Sequence, residues 1–119
     1  QNFGRIIFMS SLNSQIPIPG YGYYAAAKAA LETTMKYVAA EYGKYQVTAN
    51  TLRLGVIKTE RNKKYWRRDS IREKMEASIS LGRLGEPQDL NLAVDTLLDP
   101  KSFIQGTVLE ISGGFRLPF

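Results

Sequence analysis

Cysteine is absent from these 119 residues, and so is histidine. The first absence excludes a disulfide framework, a thiolate metal site and a thiol nucleophile. The second removes the commonest general base and the commonest metal ligand, so no metal site is expected. Acid–base work near neutral pH must then fall to a perturbed tyrosine, lysine or carboxylate. No apolar stretch approaches the roughly 20 residues that a membrane span needs, and no signal peptide is visible. These absences favour a cytoplasmic protein with no membrane partner. There is no internal repeat, low-complexity tract or linker. The apolar content of 44% is ordinary for a globular chain and argues against disorder.

Acidic side chains are in deficit, 11 against 16 basic, which leaves a net charge of +5. The densest basic run is Arg61 to Arg68, where Lys63, Lys64, Arg67 and Arg68 are interleaved with Tyr65 and Trp66. Such a run can hold a phosphate backbone. A solvated loop leading into a helix explains it more simply, and no nucleic-acid partner is expected.

Strand signals occupy about Arg5 to Ser10, Val47 to Leu54 and Thr107 to Ile111. The first and third are nearly continuous apolar runs, the pattern of strands covered on both faces. Helix signals occupy about Tyr23 to Tyr42, Arg68 to Ser80 and Pro87 to Leu98. The first is rich in alanine, the strongest helix former, and stops at Gly43, a natural C-terminal cap. Its apolar residues Ala27, Leu31, Met35, Val38 and Tyr42 follow helical spacing. A second face with Ala26, Ala29, Ala30 and Thr33 is smooth enough to pack on another helix. Ile71, Met75 and Ile79 form the stripe of a half-buried second helix. The last helix begins with Pro87 after Glu86, carries Leu90, Ala93, Val94, Leu97 and Leu98 as core, and ends at Asp99-Pro100.

Chemistry concentrates at Tyr24-Ala-Ala-Ala-Lys28, with Ser11 upstream. Tyr24 and Lys28 stand at i and i+4 and share one helix face. A cation beside a phenol favours the phenolate, which makes Tyr24 a candidate proton donor or acceptor. Ser11 closes the run Ile6-Ile7-Phe8-Met9, so its hydroxyl falls at a strand end. Ligands bind outside those carboxyl ends in open α/β sheets. Ser10 is the neighbouring alternative, but alternation along a strand points it the other way. A tyrosine acid, a lysine that tunes it and a serine that can hydrogen-bond a carbonyl oxygen together suggest reversible ketone reduction. The bland alternative is a surface Tyr/Lys pair on an alanine-rich helix.

The surrounding segments narrow the choice. Gly4-Arg5-Ile6-Ile7-Phe8-Met9-Ser10-Ser11 leads through Pro19-Gly20 into Tyr24 to Leu31. Val47-Thr48-Ala49-Asn50-Thr51-Leu52-Arg53-Leu54-Gly55-Val56-Ile57-Lys58-Thr59 follows. Then come Leu81-Gly82-Arg83-Leu84-Gly85-Glu86-Pro87 and Gly106-Thr107-Val108-Leu109-Glu110-Ile111-Ser112-Gly113-Gly114. In this order and spacing the chain resembles the carboxyl-terminal half of the short-chain dehydrogenase/reductase family, most of all the 3-oxoacyl-[acyl-carrier-protein] reductase type of fatty acid biosynthesis.

The resemblance implies an α/β fold: the second half of a Rossmann-like doubly wound parallel sheet, three strands alternating with helices. Residues 1–119 would be the carboxyl-terminal portion of one domain. Members usually open with a strand, a glycine-rich turn and a helix that hold the dinucleotide phosphates. Nothing here matches that fingerprint, since Gly20-Tyr21-Gly22 lacks a third glycine and precedes the tyrosine helix. The dinucleotide-binding first half is therefore expected to lie outside this chain, as in a truncated product, a proteolytic fragment or one chain of a split enzyme. Such a half domain would expose a long strand edge and an uncovered helix face.

By the same resemblance Ser11, Tyr24 and Lys28 would be catalytic. Tyr24, Lys28, Gly55, Val56, Ile57 and Thr59 would bind the cofactor, NADP in preference to NAD. Tyr24 would give a proton to the carbonyl oxygen, Lys28 would hold the phenolate and the nicotinamide ribose, and Ser11 would bond the substrate oxygen. An oxyanion contact of that kind is worth about 3 kcal/mol. Backbone groups near Val56 and Ile57, with the Thr59 hydroxyl, would touch the nicotinamide carboxamide. Gly55 would let the backbone approach a ligand closely, and the segment after Thr59 would be a mobile lid over the substrate. The substrate would be a small-molecule or acyl-carrier-bound carbonyl compound. The assembly would be a homo-oligomer, dimer or tetramer, or a pairing with the missing half. Leu54 stands where relatives usually have proline, and Ser112 where they often have aspartate. The family's catalytic asparagine lies upstream, and neither Asn2 nor Asn13 has its spacing. The competing functional class is a non-catalytic fragment or regulatory subunit of the same fold that pairs with another chain.

Overall fold

The computed structural model describes residues 2–115. Three parallel strands form one sheet in the order β1 (Gly4–Ser11), β2 (Val47–Leu54), β3 (Val108–Ile111). Between β1 and β2 the chain runs through α1 (Gly22–Tyr42). Between β2 and β3 lie α2 (Lys63–Trp66), α3 (Asp69–Glu76) and α4 (Asn91–Leu98). Parallel neighbours joined through helices make this the expected α/β architecture with a Rossmann-like sheet.

The register sets which residues share a face. Ser10 lies opposite Arg53 and Ser11 opposite Leu54, while Thr51 pairs with Val108 and Leu54 with Ile111. One face of the sheet packs on α1, where Met35, Ala39 and Ala49 form the buried centre with Phe8, Val38 and Val108 against it. Asn50, on the opposite face, donates to Ile104 O and accepts from Thr107 N, which delivers the chain into β3. Arg5 ties the beginning of the chain to its end. Its guanidinium donates to Asp99 O, Pro100 O and Gln46 O at 3.2, 2.8 and 3.1 Å.

Several boundaries differ from the sequence reading. The inward stripe of α1 contains Glu32, Met35 and Ala39, whereas Ala27 is exposed and Tyr42 is 49% exposed. A carboxylate thus occupies the core face, compensated by partners described below. Gly43 ends α1 in right-handed geometry and begins a 3-10 turn over Gly43–Tyr45. The left-handed position falls on Gln46, with φ 60°, whose N–H returns to Gly43 O. The second predicted helix stops at Glu76, because Ile79 leaves it to bridge Phe115. The last helix divides into a 3-10 turn, Pro87–Leu90, and α4. Its Glu86–Asp89 capping box forms a tight first turn. Coverage of both faces of β1 and β3 is not found: Ile6, Met9 and Leu109 are 39%, 41% and 42% exposed. α1 and α4 both pack against β1, but neither closes over these side chains.

Candidate active site

Ser11 is the last residue of β1 and the cap of a 3-10 turn, Leu12–Ser14. Its Oγ accepts from Asn13 N at 3.2 Å. That bond uses a lone pair and leaves the hydroxyl proton free for an acceptor. Ser10 turns the other way, as alternation requires, and is 5% exposed. It donates to Glu32 Oε1 at 2.6 Å.

Tyr24 lies in the first turn of α1 and is 39% exposed, stacked edge-on against Tyr21 with ring centres 6.3 Å apart. Lys28 follows one turn later. Its Nζ lies 5.5 Å from the Tyr24 ring centre and donates to Met9 O at 2.9 Å. Met9 is in β1, two residues before Ser11, so the lysine bonds the strand whose end presents the serine. An ammonium has three donors, and this bond consumes one of them.

The loop after β2 carries the predicted cofactor residues. Gly55 donates to Ile111 O at 2.9 Å. A Cβ at Gly55 would meet Ser112 Cα at 2.8 Å. The close approach that requires glycine is therefore to the backbone after β3. Val56 O accepts from Gly85 N and Lys58 N donates to Gly85 O. A Cβ at Gly85 would fall on the Ile57 side chain, at 2.4 Å from its Cδ1. Asn62 closes the far side, its carboxamide accepting from Thr59 N and donating to Ile57 O. Trp66 Nε1 donates to Thr59 O at 3.0 Å, which draws α2 over the loop. Among the described residues the N–H groups of Val56 and Ile57 and the Thr59 hydroxyl make no hydrogen bond. Two free amide donors and a hydroxyl are a donor set that suits a carboxamide, so the loop fits the nicotinamide end of a dinucleotide.

Not all predicted residues are brought to one cavity. Val56 and Ile57 line a hollow with Leu81, Arg83, Gly85 and Ser112, in which Ser11, Tyr24 and Lys28 take no part. A second, more apolar groove between α4 and β3 contains none of the predicted residues. Among the described residues no group of three or more acidic side chains could hold a metal ion, and no helix is long and apolar enough to cross a membrane.

The sequence reading passed over Glu32, Ser14 and Arg53. Glu32 is 6% exposed. Its Oε1 accepts from Ser10 Oγ, Ser14 Oγ and Arg53 Nε at 2.6, 2.9 and 2.9 Å, and its Oε2 accepts from Arg53 Nη2 at 2.7 Å. The forked bond to Arg53 is the main cause holding the Glu32 carboxyl at about 2, below its usual 4.5. Burial opposes the shift and the two serine hydroxyls assist it. Arg53 is correspondingly raised, first by Glu32 and less by Glu110, which is 3.8 Å away. Helical spacing places Glu32 in line with Tyr24 and Lys28, at intervals of four, but gives no sign of Arg53 as its partner.

Comparison with known proteins sets this geometry in context. A family model described as enoyl-(acyl carrier protein) reductase matches residues 1–116. A tropinone reductase homolog of Arabidopsis thaliana is 32% identical over 116 residues, which are 97% of this chain and 44% of that protein. An acetoacetyl-CoA reductase of Synechocystis is 36% identical over 112 residues, 92% of this chain and 46% of that protein. A 3-oxoacyl-(acyl-carrier-protein) reductase of Agrobacterium tumefaciens, solved with NADP bound, superposes with a TM-score of 0.88 at 28% identity. That superposition covers 96% of this chain and 45% of the other. The chain thus spans less than half the length of the proteins it matches.

Proposed function

The chain belongs to the short-chain dehydrogenase/reductase family of oxidoreductases, and on that footing we propose that it serves a nicotinamide-dependent interconversion of a ketone and a secondary alcohol. The observation that carries the reading is the clamp of Lys28 onto Met9 O beside the Tyr24 ring. It fixes a cation next to a phenol at the strand end that presents Ser11.

The dinucleotide, when bound, supplies or accepts the hydride. In the reductive direction Tyr24 gives its hydroxyl proton to the carbonyl oxygen. Lys28 stabilises the resulting phenolate by charge, and its remaining donors are available to the ribose. Ser11 donates its free proton to the same substrate oxygen, where negative charge develops. Val56 and Ile57 N–H with the Thr59 hydroxyl hold the carboxamide. In oxidation Tyr24 takes the proton back. NADP is the preferred cofactor, in keeping with the NADP-bound reductase described above. A 3-oxoacyl thioester is the favoured substrate. Two relatives bear names of that chemistry, and the exposed Lys64, Arg67 and Arg68 on and beside α2 suit an anionic or phosphopantetheine-carried acyl group. Self-association through the Ala26, Ala30 and Thr33 face of α1 completes the proposal.

A second reading, a non-catalytic chain that pairs with another subunit, draws on the partial span of the match. Tyr24→Phe in the intact protein separates the two. Turnover of an acetoacetyl thioester should vanish while NADPH affinity stays near wild type, because only the transferable proton is lost. Retention of more than about a tenth of the turnover would defeat the assignment of Tyr24.

A further inference from the structure

We propose that Glu32 is a positioning residue for the reaction, acting through Ser10, Ser14 and Arg53 to hold the turn that presents Ser11 against the helix that presents Tyr24 and Lys28. The inference rests on the reductase reading given above.

Its foundation is the placement of the three partners. Ser10 and Ser14 lie on either side of Ser11 in the chain, one at the end of β1 and the other closing the 3-10 turn. Both donate to the same carboxylate oxygen. Arg53, near the end of β2, fills both oxygens with a fork. One helical side chain is thereby bonded to the strand before Ser11, the turn after it and the neighbouring strand. Lys28 adds a bond from the same helix to Met9 O. Ser11 closes the ladder opposite Leu54, and among the described residues its hydroxyl is held by one bond, accepted from Asn13 N, inside the turn that Ser14 anchors. A shift of α1 relative to β1 would therefore break the Glu32 bonds before it reached the core at Met35 and Ala39.

A purely stabilising role accounts for this cluster poorly. A buried ion pair is often no better for stability than apolar residues of similar size, and α1 already has an apolar anchor. The forked carboxylate–guanidinium bond and the two hydroxyls have directions that apolar packing lacks. Direction is what a reacting serine, tyrosine and lysine require of their support.

The test compares wild type with Glu32→Met/Arg53→Met in the intact protein. The double variant removes both charges together and leaves neither unpaired. With the melting temperature restored to near wild type, kcat for an acetoacetyl thioester should remain down by about tenfold or more, while KM values for thioester and NADPH change by less than about threefold. Recovery of kcat along with stability would overturn the inference. Amide exchange supplies an arm independent of turnover. Asn13 N–H, bonded to Ser11 Oγ, should exchange about tenfold faster in the double variant, with β2 unchanged. Equal exchange would overturn positioning even if wild type reduced no ketone, an outcome that would itself count against the reductase reading instead. Ser14→Ala serves if the double variant does not fold. It frees the turn without stranding a charge and should speed Asn13 exchange by about threefold, and no change there would also overturn the proposal.

Discussion

Glu32 remains a carboxylate in a setting where burial by itself pushes its pKa up. Its folded form binds the proton more weakly than the unfolded chain does, at about 2 against the usual 4.5. A depressed acid stabilises the fold when ionised, so its contribution is complete above about 4.5 and is lost as pH falls toward 2. The full shift corresponds to about 3 kcal/mol, as an order of magnitude. Glu32→Gln should therefore destabilise the protein most at pH 6 to 7. Denaturant unfolding should show the gap between variant and wild type narrowing as pH falls through 4 to 3. A gap independent of pH would mean that the ion pair contributes shape alone. Asp89 is also held at about 2, first by Arg83 and then by the Glu86 N–H. It is open to water, so its titration should follow salt and leave stability little changed.

At the scale of elements, the ends of β2 and β3 are joined by contact too close for a side chain. Gly55→Ala would drive a methyl group to within 2.8 Å of Ser112 Cα, and backbone cannot yield as a flexible side chain can. The expected cost is about 1–3 kcal/mol, visible in thermal unfolding, together with weaker cofactor affinity because the loop bearing Val56 and Ile57 is displaced. A variant of wild-type stability would show that the junction relaxes freely. The same elements show what could be read in advance. The three strands and α1 were legible because their apolar runs, alanine content and glycine stops are local signals. The phase of the α1 stripe was not, since Glu32 faces inward only because Arg53, distant in sequence, is there to meet it. The early end of α3 was hidden for a similar reason: Ile79 is claimed by a bridge to Phe115. Tyr24, Lys28 and Ser11 could be placed on a helix and at a strand end from spacing alone. The bond from Lys28 to Met9 O depends on how α1 settles on β1, which no local pattern states.

For the molecule as a whole, the outer edge of β1 pairs with no strand among the described residues, and Ile6 and Met9 stand open beside it. An uncovered edge flanked by apolar side chains invites another chain. The isolated 119-residue chain should therefore associate with itself or with a partner. On the proposed reading it should also bind NADPH and NADH poorly, because its free donors would serve the nicotinamide end while pyrophosphate is ordinarily anchored at a helix amino terminus that follows a glycine-rich turn. Light scattering and titration calorimetry check the two expectations, and micromolar binding by a stable monomer would contradict both.

The grip of Arg5 on Asp99 and Pro100 carries a consequence for how the chain acquires its fold. The bond to Pro100 joins residues 95 apart in sequence, and a contact of that span is reached only after a large loop has closed. During synthesis β1 emerges well before α4 and must wait for the residues between them before the Arg5 guanidinium finds those carbonyls. Parallel pairing of β1 with β2 imposes a similar wait for the α1 crossover. Folding should accordingly be slow for a chain of this size. Arg5→Ala should quicken unfolding and leave refolding near its wild-type rate in stopped-flow experiments, because the bond closes after the folding barrier has been passed.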